Sequence, residues 1–281
     1  MIVFSYHRDA AIGAFLLISL MMFHGCRHNE PQTETREAVR HDKAERRERG
    51  AQVIAEYLKR DAAPYRRSRV RLTITSTTEP VKVYELEVSR KQTADETLTL
   101  TQLVQPASEN DLASLTIERK GQSAINVTYT ATGQFRETGT NKMFFGGLTA
   151  QELLGEWDKY DYRLLSEKEV NGTKAFEVEG TLKPSANSNI ARFTTLFRAD
   201  TYLPAESHLF SSDGRELRTF QFKDYHAFAG RTVASRIEIE NHVRDTQVII
   251  EVLSLSFPDR MGDEIFTREW LKRLASEREK K

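Results

Sequence analysis

The spacing of apolar residues changes three times along this chain. Ala10–Phe23 is an unbroken apolar run of 14 residues in which Ser19 is the one polar member. Farther on, Val53, Ile54, Tyr57 and Leu58 recur at helical spacing among good helix formers, which predicts a helix from about Lys43 to Leu58. After Pro64 the period falls to two. Val70, Leu72 and Ile74 alternate with Arg71 and Thr73, and Tyr84, Leu86 and Val88 with Glu85 and Glu87. Leu98/Leu100, Leu115/Ile117 and Ile125/Val127/Tyr129 repeat the pattern. These five half-buried strands with short links predict an antiparallel meander, apolar on one face and rich in Thr, Arg and Glu on the other.

Gly133, Gly139, Gly146 and Gly147 then mark a long loop over residues 131–147, with Met143, Phe144 and Phe145 inside it. Thr149 followed by Glu152 reads as a capping box opening a short second helix through Leu153, Leu154, Trp157 and Tyr160. Strands resume at Tyr162–Val170. Asn171-Gly172 is a strong hairpin signal. Further strands carry Phe176/Val178, Phe193/Phe197, Glu206–Ser211, Phe220/Phe222 and Ile237/Ile239, and the last is Gln247–Phe257. Thr267 caps a closing helix with Trp270, Leu271 and Leu274, and residues 276–281 form a charged tail. The expected class is mainly β (α+β): about eleven strands in one long curved sheet, with three helices. No repeat at 20–50 residues points to a propeller or solenoid.

Composition narrows the function. Lys plus Arg and Asp plus Glu are 41 each, a balance that argues against nucleic acid as a partner, since phosphate binding needs a concentrated positive field. Cys26 is the sole cysteine, so no intrachain disulfide forms. It follows the apolar run after His24 and Gly25, and the run is short for a membrane span of roughly 20 residues and fits the core of an export signal. Residues 1–25 are therefore expected to be a signal peptide that resembles a bacterial lipoprotein signal, with Cys26 lipidated. Phe23 and His24 depart from that signal's usual pattern, and an ordinary cleaved signal or an uncleaved anchor are the alternatives. Residues 26–42 read as a polar tether. Arg27 after the cysteine leans toward the outer membrane.

The chain has no recognisable reactive signature. It carries no HExxH, CxxC, GxSxG, Gly-Lys-Ser/Thr phosphate loop or GxGxxG, so the chain reads as no enzyme, with no cofactor and no metal. Glu206/His208, Asp224/His226 and Glu240/His242 repeat an acid two residues before a histidine, which on strands puts each pair on one face; a solvated strand face accounts for this more simply than a metal site. Phe144, Phe145, Trp157 and Tyr160 suit packing of the inserted helix, with a mobile lid as the alternative.

Six stretches in order, Tyr84–Lys91, Leu103–Pro106, Met143–Leu153, Leu203–Glu206, Ser212–Leu217 and Asp263–Thr267, resemble the LolA-like outer-membrane lipoprotein-sorting family, in particular its larger, mostly uncharacterised members. The resemblance implies an incomplete antiparallel β-barrel over residues 43–275, with helices covering its concave face. It further implies an apolar cavity that binds lipid or lipoprotein acyl chains in lipoprotein sorting or transfer, in a periplasm-facing protein held to the membrane by its N-terminal lipid. The in-register apolar residues Leu72, Ile74, Tyr84, Leu86, Leu98, Leu100, Ile125 and Val127 are the expected ligand-facing set. The alternative is an envelope sensor or assembly partner that uses the same fold to bind protein.

Overall fold

Thirteen strands form one sheet in the computed structural model of the chain, which describes residues 32–106, 113–130, 132–140, 147–149, 152–153, 155–170 and 172–278. The chain divides into two units, Met1–Arg40 and His41–Lys281. Of the first, the described part is the start of helix α1 (Gln32–Asp61); everything below concerns the second. The expected signal and Cys26 lie outside the described residues. The stretch read as a tether is helical from Gln32 onward.

The first half of the sheet comprises β1 (Tyr65–Ser76), β2 (Lys82–Gln92), β3 (Glu96–Gln105), β4 (Ala113–Arg119), β5 (Ile125–Tyr129) and β6 (Phe135–Gly139). The second comprises β7 (Tyr160–Val170), β8 (Thr173–Leu182), β9 (Arg192–Arg198), β10 (Pro204–Phe210), β11 (Glu216–Phe228), β12 (Arg231–Asn241) and β13 (Thr246–Ser256). Each half is a meander, and the two join where β1 pairs antiparallel with β13. The edges are therefore mid-chain strands, β6 and β7, and the sheet stays open between them. This is the expected incomplete antiparallel barrel. The count of thirteen exceeds the expected eleven or so, and the strand that no reading above covers is β6, which lies inside the segment read as loop. Its residues are almost all exposed on both faces, so it carries no apolar alternation to read.

Register decides which side chains share a face, because residues directly opposite on antiparallel neighbours point the same way. On one face, here called inner, Leu72 pairs with Tyr84 and with Ile250, Ile237 with Ile250, and Phe220 with Ile239. The same face continues through Leu209 and Phe193, and these residues form the main core. Followed the other way, Leu86 meets Leu103, but then Val88 meets Thr101, Arg90 meets Thr99, Thr99 meets Thr116 and Thr116 meets Asn126. The inner face thus turns polar at β3. The apolar residues of β3–β5 stand on the outer face, with Ser89 opposite Leu100, Leu100 opposite Leu115, and Leu115 opposite Val127. A single apolar face across the first five strands, as the alternation suggested, is not what forms. The apolar side changes between β2 and β3.

Two helices cover the two apolar patches. Helix α1 sets Val53 and Ile54 against Leu164, Val178 and Phe197 on the inner face. It approaches so closely that a Cβ on buried Gly50 would lie 2.7 Å from the backbone carbon of Arg163 and 2.7 Å from the nitrogen of Leu164. Helix α2 (Arg268–Arg278) sets Leu271, with Phe266 just before it, on Leu100, Leu115 and Val127 of the outer face. Its start is as expected, with Trp270 N–H donating to Thr267 Oγ1 at 3.2 Å. The second helix expected from Thr149 is shorter than read: Glu152 and Leu153 are helical, with Leu153 N–H donating to Thr149 O at 3.3 Å. The capping box is made, with Thr149 N–H donating to Glu152 Oε2 at 2.6 Å and Glu152 N–H to Thr149 Oγ1 at 3.2 Å. Gly155 (φ 63°) then turns the chain, Trp157–Lys159 is a 3-10 turn, and Tyr160 already belongs to β7. Here sheet pairing of Tyr160 with Leu182 overrides the helical periodicity. Among the described residues, no helix is long and apolar enough to cross a membrane.

Candidate functional site

A cavity of about 160 Å³ lies against the inner face of β9–β13. Its floor is Phe193, Leu209, Phe220, Phe222, Ile237, Ile239 and Ile250, and its cover is Tyr57 of α1 with Glu152, Leu153, Gly155 and Trp157 of the segment that crosses from β6 to β7. The cover is built on aromatic contacts. Trp157 meets Phe193 edge-on at 5.5 Å between centroids and Tyr57 at 5.2 Å, and Tyr160 meets Phe193 at 5.0 Å. Such pairs add roughly 0.5–1.5 kcal/mol each beyond area burial. Two phenols fix the wall: Tyr160 donates to Ile190 O at 2.9 Å, and Tyr162 donates to Trp157 O. Burial pushes both phenols above their ordinary pKa, so they stay protonated donors.

One end of the cover is tied down by a buried ion pair. Arg218 Nε lies 3.3 Å from Glu152 Oε1, and each side chain is 6% exposed. Arg218 also donates to Asn241 Oδ1 at 2.7 Å and to Gly147 O at 2.9 Å. Burial lowers the guanidinium pKa and the Glu152 charge acts against that. Gly147 has φ 75°, and a Cβ there would meet the Arg244 side chain at 3.0 Å, so a residue larger than glycine is strained at the point where the segment is held. Beyond it, Leu153 lines the cavity yet is 48% exposed, and Glu156 is held by Thr140 Oγ1 at 3.2 Å and Lys159 Nζ at 2.6 Å.

The eight residues expected to face a ligand divide by face. Leu72, Ile74, Tyr84 and Leu86 belong to the inner core, contiguous with the cavity floor. Leu98, Leu100, Ile125 and Val127 belong to the outer cluster under α2. The cavity is lined instead mainly by the later strands, whose alternation in Phe193/Thr195, Phe220/Phe222 and Ile237/Ile239 was the signal available. Trp157 and Tyr160 are packed in its wall; Phe144 and Phe145 lie outside the described residues.

Of the three acid–histidine pairs, register brings two together on the outer face. His208 sits 2.6 Å from Glu216 and 2.8 Å from Glu206, and Thr219 Oγ1 links Glu216 to His242 at 2.8 Å on both sides. His226 is exposed farther along β11. Among the described residues, no group of three or more His, Cys, Asp or Glu is placed to hold a metal ion.

A family model described as uncharacterized protein matches residues 95–273. The chain belongs to that family. No curated protein matches it. Among solved structures, a DUF1329 family protein from Desulfovibrio piger superposes with a TM-score of 0.75 at 19% identity, covering 80% of this chain and 99% of the other. An outer-membrane lipoprotein-sorting protein domain from Vibrio parahaemolyticus gives 0.73 at 18%, covering 81% and 100%. A LolA superfamily protein from Nitrosomonas europaea gives 0.62 at 14%, covering 74% and 92%. The fold is LolA-like, as the ordered stretches implied.

Proposed function

We propose that this LolA-like protein holds lipid or lipoprotein acyl chains in its inner cavity and passes them on without covalent chemistry. The observation that carries this is the apolar cavity itself, floored by aliphatic and phenyl side chains under a cover that leaves Leu153 half exposed. Apolar burial at about 25 cal/mol per Å² suffices to retain a saturated chain. A cavity of about 150 Å³ holds one benzene ring, so the 160 Å³ space takes the end of a chain and a whole chain enters by displacing Leu153 and Trp157. Leu72, Ile74, Tyr84 and Leu86 then extend the floor. Cys26, acylated after removal of residues 1–25, would hold the protein at the periplasmic face of the outer membrane.

The experiment is extraction of lipid from the purified protein with Cys26 replaced by Ser, followed by mass spectrometry, together with binding of the neutral apolar dye N-phenylnaphthylamine. Co-purified acyl lipid, or dye that acyl chains displace, supports the carrier. A protein free of lipid that binds neither dye nor acyl probe refutes it and favours the sensor or assembly reading. Unchanged membrane fractionation of the Cys26→Ser chain refutes the lipid anchor separately.

A further inference from the structure

The switch of the apolar side between β2 and β3 leaves a polar inner surface beside the apolar cavity, and that surface is not solvated. Thr99 is 5% exposed, Thr116 5% and Asn126 1%. Thr116 donates to Asn126 Oδ1 at 3.1 Å. Asn126 Nδ2 and Thr99 Oγ1 are buried with no hydrogen-bond partner among the described residues. An unpaired buried amide or hydroxyl costs on the order of 1–3 kcal/mol, so two on one surface, on adjoining registers of β3–β5, need an occupant. The surface adjoins the cavity through Glu156, which lines the cavity and accepts from Thr140 Oγ1 at 3.2 Å, just past β6, whose Thr138 stands opposite Asn126.

We infer that this buried polar patch is a subsite for the uncharged ester or amide head of an acylated molecule whose chain lies in the apolar cavity. The inference rests on the carrier reading. Carbonyl oxygens accept from the Asn126 amide, and the Thr99 hydroxyl donates to or accepts from a glyceryl oxygen. An anionic head is disfavoured. Glu118, Glu156 and Asp158 interact nearby; Lys159 is already paired with Glu156 at 2.6 Å, and Arg90 already donates to Gln92 at 2.7 Å. Burial, with those neighbouring carboxylates, pushes Glu118 above its ordinary range despite Arg90, in keeping with a site that disfavours negative charge.

The test compares Thr99→Val and, separately, Asn126→Leu with the parent chain, using N-phenylnaphthylamine as the headless probe and monopalmitoylglycerol as the competitor. Expected for Thr99→Val are an unchanged dye affinity, an apo melting temperature unchanged or raised, and a monopalmitoylglycerol affinity about three- to tenfold weaker, the worth of one hydrogen bond. Asn126→Leu weakens the glyceride by at least as much. Equal competition in parent and variants overturns the subsite and leaves an ordered water as the occupant. Better competition by lysophosphatidic acid than by monopalmitoylglycerol overturns the uncharged head. A parent protein that binds no dye overturns the carrier reading, and the subsite with it.

Discussion

Replacing Gly50 by Ala reverses the usual sign of a helix substitution. In an exposed helix the change gains about 1 kcal/mol, because glycine spends more backbone entropy on becoming helical. Here the new methyl would sit 2.7 Å from the Arg163 carbon and the Leu164 nitrogen and 2.8 Å from the Arg163 nitrogen. Comfortable carbon contacts begin near 3.5 Å, so α1 must lift from β7 by about 1 Å. The obstruction is backbone and cannot rotate aside. Overpacking of this kind costs roughly 1–3 kcal/mol, which outweighs the propensity gain by up to about 2 kcal/mol. The lift also loosens Val53 and Ile54 on Phe197, the 2.6 Å ion pair of Arg49 with Glu167, and Tyr57 in the cavity wall. Urea unfolding followed by far-ultraviolet circular dichroism measures the stability. Trp157 fluorescence reports the Tyr57 contact, and Ala55→Gly on the exposed side of the helix calibrates propensity alone. A Gly50→Ala protein that is about 1 kcal/mol more stable, with unchanged Trp157 emission, would refute the close docking.

Three further outcomes follow from the same geometry. Arg218→Met leaves Glu152 buried without its partner, and loss of one member of such a pair typically costs about 3–5 kcal/mol; thermal melts check this. Gly180→Ala puts a methyl into the ring of Phe193, which packs over that glycine and lines the cavity, so dye binding should fall in a fluorescence titration while the sheet persists. Burial opposes the charged form of His208, but hydrogen bonds to Glu216 and Glu206 outweigh it and raise its pKa above 6.5. Its stabilising contribution is therefore complete below pH 6.5 and is lost as pH rises through the raised folded-state value. The site is partly exposed, so the effect stays under about 1 kcal/mol. His208→Gln should flatten the pH dependence of the urea midpoint over that window; an unchanged slope assigns it elsewhere.

Alternation made nearly every strand readable, because a half-buried strand writes its period into the sequence. It could not say which face each strand presents. That depends on the phase between neighbours, fixed by turn length and bulges, and a one-residue slip turns every side chain over. The three-residue turn between Gln92 and Glu96 puts Leu98 and Leu100 opposite Lys91 and Ser89 rather than in line with Val88. Half of the expected ligand residues therefore went to the outer face. The same limit hid the polar patch, since Thr99, Thr116 and Asn126 look like solvent-facing positions until register buries them. Edge strand β6 was illegible for the opposite reason, as it has no buried face to leave a pattern. The second helix misled because its capping box is real but encloses too short a stretch.

The pairing of β1 with β13 has a consequence for how the molecule comes together. Arg67 and Ser256 meet across 189 residues, and closing so long a loop costs roughly 3 kcal/mol more than closing a hairpin of a few residues. Each half-meander can zip from local turns, but neither owns the whole inner core. Leu72 belongs to the first-made half, and Ile250, its partner, to the last-made strand. The seam between halves and the inner core are thus completed in one step. Until β13 arrives, the first six strands carry greasy patches on opposite sides with no cover for either, because α2, which shields the outer one, is made later still. A chain built this way needs shelter during synthesis for as long as its last strand and closing helix are missing.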